Sequence, residues 1–189
     1  MNRQIGFDEN TEEYLNKFYC ILNKMVREMT QAELNDSISH NFIVQMIPHH
    51  RAAIEMSENI LKYTTNETLQ CIANQIIEEQ TKSIENMLDI KCECTEFKNR
   101  EQRLSSYQQT MDNIMRTMFS RMRCARATNR VNCNFMWEMI PHHRGAVEMA
   151  NTTLKYSICP QLVPILNAII KSQVRGIKQM QNLLRNIGC

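Results

Sequence analysis

The sequence predicts an all-α fold, an antiparallel helical bundle built from an internal duplication. Three observations predict it. Glycine and proline are scarce, at four each, while Leu, Ile, Met, Gln, Glu, Lys and Arg dominate, a balance that favours helix over strand. Apolar residues recur at helical spacing. The chain also repeats itself at an offset of 93 residues: Phe42 to Met56 aligns with Phe135 to Met149, and Leu61-Lys62-Tyr63 with Leu154-Lys155-Tyr156. Tyr14 matches Tyr107, Met25 matches Met118, Met29 matches Met122 and Met87 matches Met180. Repetition of this kind marks two copies of one supersecondary unit.

Each copy reads as three helices. The segment around residues 11–34 places Tyr14, Phe18, Ile21, Leu22, Met25 and Met29 on one face. Asp36 and Ser37 are suited to cap a helix that runs to about Tyr63. Asn66 suits the cap of a third helix ending near Ile90, with Leu69, Ile72, Ile76, Ile77, Ile84, Met87 and Leu88 as its apolar stripe. The polar stretch Lys91 to Arg100 reads as the linker, so the repeats divide as 1–95 and 96–189. The second copy predicts helices over 101–127, 129–156 and 160–187, with Pro160 suited to a first turn. Short connections imply antiparallel neighbours. The two motif helices and the helices after them are expected to form a four-helix core, with the leading helices packed outside it.

Composition bounds the function. A net charge of +2 predicts neither a nucleic-acid nor a membrane partner. No stretch approaches the roughly 20 apolar residues of a membrane span. Met1 to Asn10 is polar, unlike a secretory signal, so a cytoplasmic address is expected. There the eight cysteines are expected as thiols, most of them small buried apolar residues. Export would permit bridges, whose pairing the spacing does not fix. The chain is long enough to bury a core without metal or disulfides as staples.

The block Met-Ile-Pro-His-His-Arg occurs twice, and it carries the chemistry. At 100° per residue Met46, His50 and Ala53 fall in a narrow arc, with His49, Met56 and Ile60 beside them. Met139, His142, His143, Ala146 and Met149 repeat the pattern. Glu55 is expected to pair with Arg51 in solvent, and Arg144 and Glu148 to lie outside. Pro48 and Pro141 predict a kink at the His-His step or a helix that starts there. Buried imidazoles need partners, and few carboxylates share this face. A metal ion is one partner. Thioether and neutral imidazole suit Cu(I) and also Ag(I), since soft ligands select soft ions. The predicted ligands are Met46, His49, His50, Met56, Met139, His142, His143 and Met149. Neutral histidine is required, so affinity is expected to weaken below roughly pH 6.

Other features weigh less. Met111, Met115, Met118 and Met122 form a stripe that reads as core filling, or as further sulfur ligands together with Met25 and Met29. His40 and its match Cys133 are weak ligand candidates, because His40 projects off the Met46–His50 arc. Cys92-Glu-Cys94 reads as an exposed linker pair or a Cu(I) chelate, and terminal Cys189 is similar. Arg116, Arg123, Arg126 and Arg130 read as one solvated basic helix face, or as a face for an anionic partner.

The block Phe-x3-Met-Ile-Pro-His-His-Arg-x-Ala-(Ile/Val)-Glu-Met, present twice, resembles the signature of the domain-of-unknown-function 305 family over roughly residues 37–90 and 130–187. That resemblance implies a ferritin-like helical bundle with a duplicated motif. It also implies association with copper and silver binding and tolerance, carried by the eight residues named above. The leading reading is a non-enzymatic protein that binds Cu(I), with Ag(I) as a second ion, in copper sequestration or homeostasis, its partner a metal ion, with a homodimer permitted. Two alternatives stand beside it. A ferritin-like di-iron oxidase would need several inward carboxylates and Glu-x-x-His pairs, whereas Glu138 precedes His142 by four residues and matches Gln45. A purely structural bundle would use the histidines for packing alone.

Overall fold

The computed structural model describes residues 6–189; the reading of Met1 to Asn10 falls partly on residues 1–5, outside the described residues. Six helices follow in order: α1 (Glu9–Thr30), α2 (Ile38–Ile60), α3 (Glu67–Thr95), α4 (Glu101–Arg123), α5 (Val131–Thr153) and α6 (Leu162–Asn186). There is no strand among the described residues, so the fold is all-α.

Side-chain caps explain three of the starts. Asp8 accepts from the Thr11 amide at 2.8 Å, Ser37 from His40 at 3.2 Å, and Asn66 from Leu69 at 2.9 Å. The turn before α2 is clamped by Asn41, whose Oδ1 accepts from the Asn35 amide and whose Nδ2 donates to the Asn35 carbonyl. Asn134 makes the same pair of bonds to Thr128 before α5.

α2 packs against α3, α1 and α5; α5 packs against α6, α4 and α2; α3 and α6 close the core. α1 and α4 scarcely meet. The four-helix core with outlying leading helices is therefore as the pattern predicts. Tyr14 and Tyr107 are buried under edge-on contacts with Tyr63 and Tyr156, at 5.9 and 5.3 Å between ring centroids. The core is rich in methionine: Met25, Met29, Met111, Met115, Met118 and Met122 are all buried.

Several expectations need correction. α2 and α5 run through Pro48 and Pro141 as single helices, so neither starts at the histidine pair. The turns on both sides of each proline are held by burial, which outweighs one lost amide bond. α3 continues to Thr95, so Cys92 and Cys94 are helical rather than linker residues. α6 begins at Leu162, beyond Pro160. Glu55 pairs with Lys24 of α1 at 2.6 Å instead of Arg51, because antiparallel α1 lies alongside. The four arginines share no face. Arg126 and Arg130 lie past the end of α4; Arg126 stacks 5.0 Å over Trp137, and Arg130 donates to the carbonyls of Ile187 and Gly188.

The cysteines depart furthest. Cys94 is bridged to Cys159 and Cys133 to Cys189, with Cα atoms 5.3 and 5.9 Å apart. The first bridge ties the end of α3 to the segment before α6. The second ties the start of α5 to the C-terminus. Cys20, Cys71, Cys92 and Cys124 are free and exposed, not buried apolar residues. The Cys92/Cys94 chelate is removed, since Cys94 is buried in a bridge.

Candidate metal centre

α2 and α5 cross at their histidine pairs. His49 and His142 face each other with ring centroids 3.7 Å apart and planes inclined by 30°. His50 and His143 lie outward of them, 5.7 and 5.9 Å from their chain neighbours. All eight predicted ligands are buried, none more than 2% exposed.

The bonds of the inner pair fix their protons. His49 Nε2 lies 3.3 Å from the His142 carbonyl oxygen, and His142 Nε2 lies 3.2 Å from that of His49. A carbonyl only accepts, so Nε2 carries the hydrogen in both rings and Nδ1 keeps its lone pair. His50 Nε2 meets Ser83 Oγ of α3 at 3.0 Å. The Nδ1 atoms of His49, His50, His142 and His143 are all buried without a hydrogen-bond partner. Four orphaned ring nitrogens, two of them fixed as acceptors by the His49–His142 bonds, are costly in an interior unless something else engages them.

Burial keeps these rings neutral. It lowers His49 to about 4, against the partial opposition of the His142 carbonyl. It lowers His143 to about 3, with His49 adding to the effect. His50 and His142 are pushed well below the usual imidazole range by burial and by the neighbouring histidines. Protonation of these rings therefore falls below the roughly pH 6 that an ordinary histidine would show, because desolvation opposes the charged ring.

Met46, Met56, Met139 and Met149 stand on the same buried faces of α2 and α5. No group of three or more His, Cys, Asp or Glu side chains is placed to hold a metal ion among the described residues. Glu138 is the only buried carboxylate among them. It accepts from the Tyr14 hydroxyl at 2.6 Å, and burial pushes its carboxyl up to about 8, with the Tyr14 bond pulling the other way. The sparse-carboxylate expectation thus holds with one exception. His40 stands apart, bonded to Thr95 Oγ1 at 2.8 Å and to the Glu33 carbonyl at 3.1 Å, and Cys133 is consumed in a bridge.

Sequence reasoning missed three supporting residues. Ser83 holds His50. Gly176, which matches Ser83 at the 93-residue offset, leaves room for His143: a Cβ there would lie 2.9 Å from its Cδ2 and Nε2. Gly145 leaves room for Met118, whose Cγ a Cβ would approach to 2.7 Å. The repeat offset, applied to α3 and α6, is the signal that pairs Ser83 with Gly176. Nothing in the sequence marks which of the two faces a ring nitrogen.

Comparison with known proteins adds the following. No curated protein matches the chain. The model of a family described as Domain of unknown function (DUF305) matches residues 39–184. CopM in the Ag-bound form, obtained by soaking, superposes with a TM-score of 0.58 at 26% identity, covering 78% of this chain and 95% of that one. CopM in the apo form gives 0.58 at 27% identity, covering 78% and 96%. A DUF305 fragment from Deinococcus radiodurans gives 0.58 at 18% identity over 79% and 96%, a likeness of fold alone.

Proposed function

This chain belongs to the domain-of-unknown-function 305 family, and from that premise we propose that it binds a soft metal ion, Cu(I) and also Ag(I), through the imidazoles and thioethers of α2 and α5 as a sequestration or homeostasis protein. The observation that carries the reading is the set of four buried neutral imidazoles whose Nδ1 atoms have no partner. A neutral imidazole with its Nε2 hydrogen held by a carbonyl presents Nδ1 as a ligand, the arrangement in which an outer partner fixes the tautomer. The interior supplies sulfur from methionine and almost no carboxylate, a donor set that suits Cu(I) and Ag(I) rather than a hard ion. The Ag-bound CopM structure, at 26% identity, supports the same class of ion.

The di-iron oxidase reading draws on little. Its centre requires several inward carboxylates, and buried Glu138 is engaged by Tyr14. The structural reading has one specific support: the reciprocal carbonyl bonds of His49 and His142 brace α2 against α5. It leaves the four Nδ1 atoms unexplained.

The two disulfides fit an oxidising compartment better than the cytosol. No helix among the described residues is long and apolar enough to cross a membrane.

The test is anaerobic competition for Cu(I) between the apo protein and a colorimetric chelator. Wild type is expected to withdraw Cu(I), and Met46→Leu combined with Met139→Leu to weaken it by about tenfold or more, as loss of even outer-shell support costs about that much. Wild type that withdraws no Cu(I) or Ag(I) overturns the reading. Alanine at His49 and His142 that lowers stability without altering metal content assigns them to packing alone.

A further inference from the structure

The inner imidazoles are closed off and the outer two are only 1% and 2% exposed, so an ion needs a way in. The α3–α6 face supplies one. A groove of about 360 Å³ runs there, lined by Glu79 and Ser83 of α3 and by Ile169, Lys171, Ser172 and Arg175 of α6. Its Ser83 hydroxyl is the group bonded to His50 Nε2 at 3.0 Å. Across the groove Arg175 precedes Gly176, the residue whose missing side chain makes room for His143. Ser83 thus lines the groove and touches His50, the outer ring of α2. The grooves of about 550, 490 and 300 Å³ elsewhere on the bundle are lined by no residue bonded to an imidazole.

The groove is bridged as well as lined. Arg175 Nη2 of α6 pairs with Glu79 Oε1 of α3, and that oxygen also accepts from Gln75 at 2.7 Å. Both side chains of the ion pair are partly exposed, at 41% and 30%. Such a pair is weak enough to open on thermal motion, since screened surface pairs contribute about 0–1 kcal/mol.

We propose that the α3–α6 groove is the access route to the buried imidazoles, with Ser83 positioning His50 at its inner end and the Glu79–Arg175 pair bridging its opening. This rests on the soft-metal reading above and assigns that site its way in. The serine hydroxyl can turn from His50 to an arriving ion and back, replacing a water as the ion sheds its shell. Gly176 offers no such group, so the two outer histidines differ: His50 is held, and His143 is not.

The test uses the full chain with Ag(I) as probe, in stopped flow, and deuterium exchange at the histidine C2 position of the apo protein as a metal-free readout. Glu79→Ala is expected to speed Ag(I) association about fivefold, and Lys171→Trp, at an exposed groove position, to slow it about tenfold, with the number of ions bound unchanged. Lys171→Gln controls for lost charge and is expected to match wild type. Exchange at His50 should follow the same order. Ser83→Ala should move the His50 ring-nitrogen NMR shifts, and Ser83→Thr restore them. Association and exchange rates that do not respond to Glu79→Ala or Lys171→Trp overturn the route, and unmoved His50 shifts in Ser83→Ala overturn the role of Ser83. A wild-type chain that takes up no Ag(I) sinks the soft-metal reading instead, and the exchange measurement still decides whether the groove admits solvent to His50.

Discussion

His49 and His142 each hydrogen-bond through Nε2 to the other's backbone carbonyl, at 3.3 and 3.2 Å, while their rings stand 3.7 Å apart. Each ring thus anchors the opposite helix and is oriented by it. The geometry ties the proton of both rings to Nε2 and turns both Nδ1 lone pairs to an interior without hydrogen donors for them.

The tautomer is therefore a measurable consequence. Nitrogen-15 NMR of the apo protein should show His49 and His142 as neutral Nε2–H rings near pH 7, with Ag(I) shifting Nδ1 far more than Nε2. Equal populations of the two tautomers would contradict the reciprocal bonds.

Stability should respond to acid through these histidines. His49 at about 4 and His143 at about 3 lie below the usual 6.5, so below pH 6.5 the unfolded chain binds protons that the folded chain does not. The native state then loses stability as pH falls through that window, by up to about 1.4 kcal/mol per pH unit for each such histidine. Chemical denaturation of wild type against His143→Gln should show the difference between them narrowing or reversing from pH 7 to pH 4.5 in favour of the variant. A constant difference would show that the ring ionises as readily folded as unfolded.

Glu138 acts with the opposite sign. Its carboxyl, raised to about 8 from 4.5, keeps its proton in the folded chain while the unfolded chain loses it. Stability attributable to Glu138 is thus full below pH 4.5 and declines as pH rises toward 8. Glu138→Gln, the residue that position 45 already carries, should gain on the order of 2 kcal/mol relative to wild type between pH 5 and pH 9. Unfolding midpoints of the two proteins that run parallel across that range would mean the carboxyl is solvated.

The bridges should staple the bundle measurably. Cys94–Cys159 closes a sequence separation of 65 residues between the end of α3 and the start of the α6 segment. Cys94→Ser with Cys159→Ser is expected to cost about 2–4 kcal/mol of stability. Peptide mapping without reductant should find Cys94–Cys159 and Cys133–Cys189 linked, with Cys20, Cys71, Cys92 and Cys124 free to alkylate. Four additional alkylated positions at the bridged cysteines would refute the pairing.

Much of the site was legible because it is local. Helical periodicity alone puts Met46, His49, His50 and Met56 on one buried face, and Met139, His142, His143 and Met149 on another. The caps Ser37 and Asn66 were likewise readable, since a cap bonds within its own first turn. The burial of Glu138 was not legible. Its position relative to His142 along one helix says nothing of Tyr14, which arrives from α1 across 124 residues of chain. The Arg51–Glu55 pair failed for the same reason: Lys24 of a neighbouring helix reached Glu55 first.

From sequence alone this protein is a helical bundle with two buried histidine–methionine faces, because side-chain period and chain chemistry are properties of consecutive residues. Only the packed molecule decided that His49 meets His142, that Ser83 touches His50 where Gly176 merely clears His143, and which cysteines pair. Each of those joins residues far apart along the chain. Their meeting depends on how whole helices dock, and no local pattern encodes the docking register.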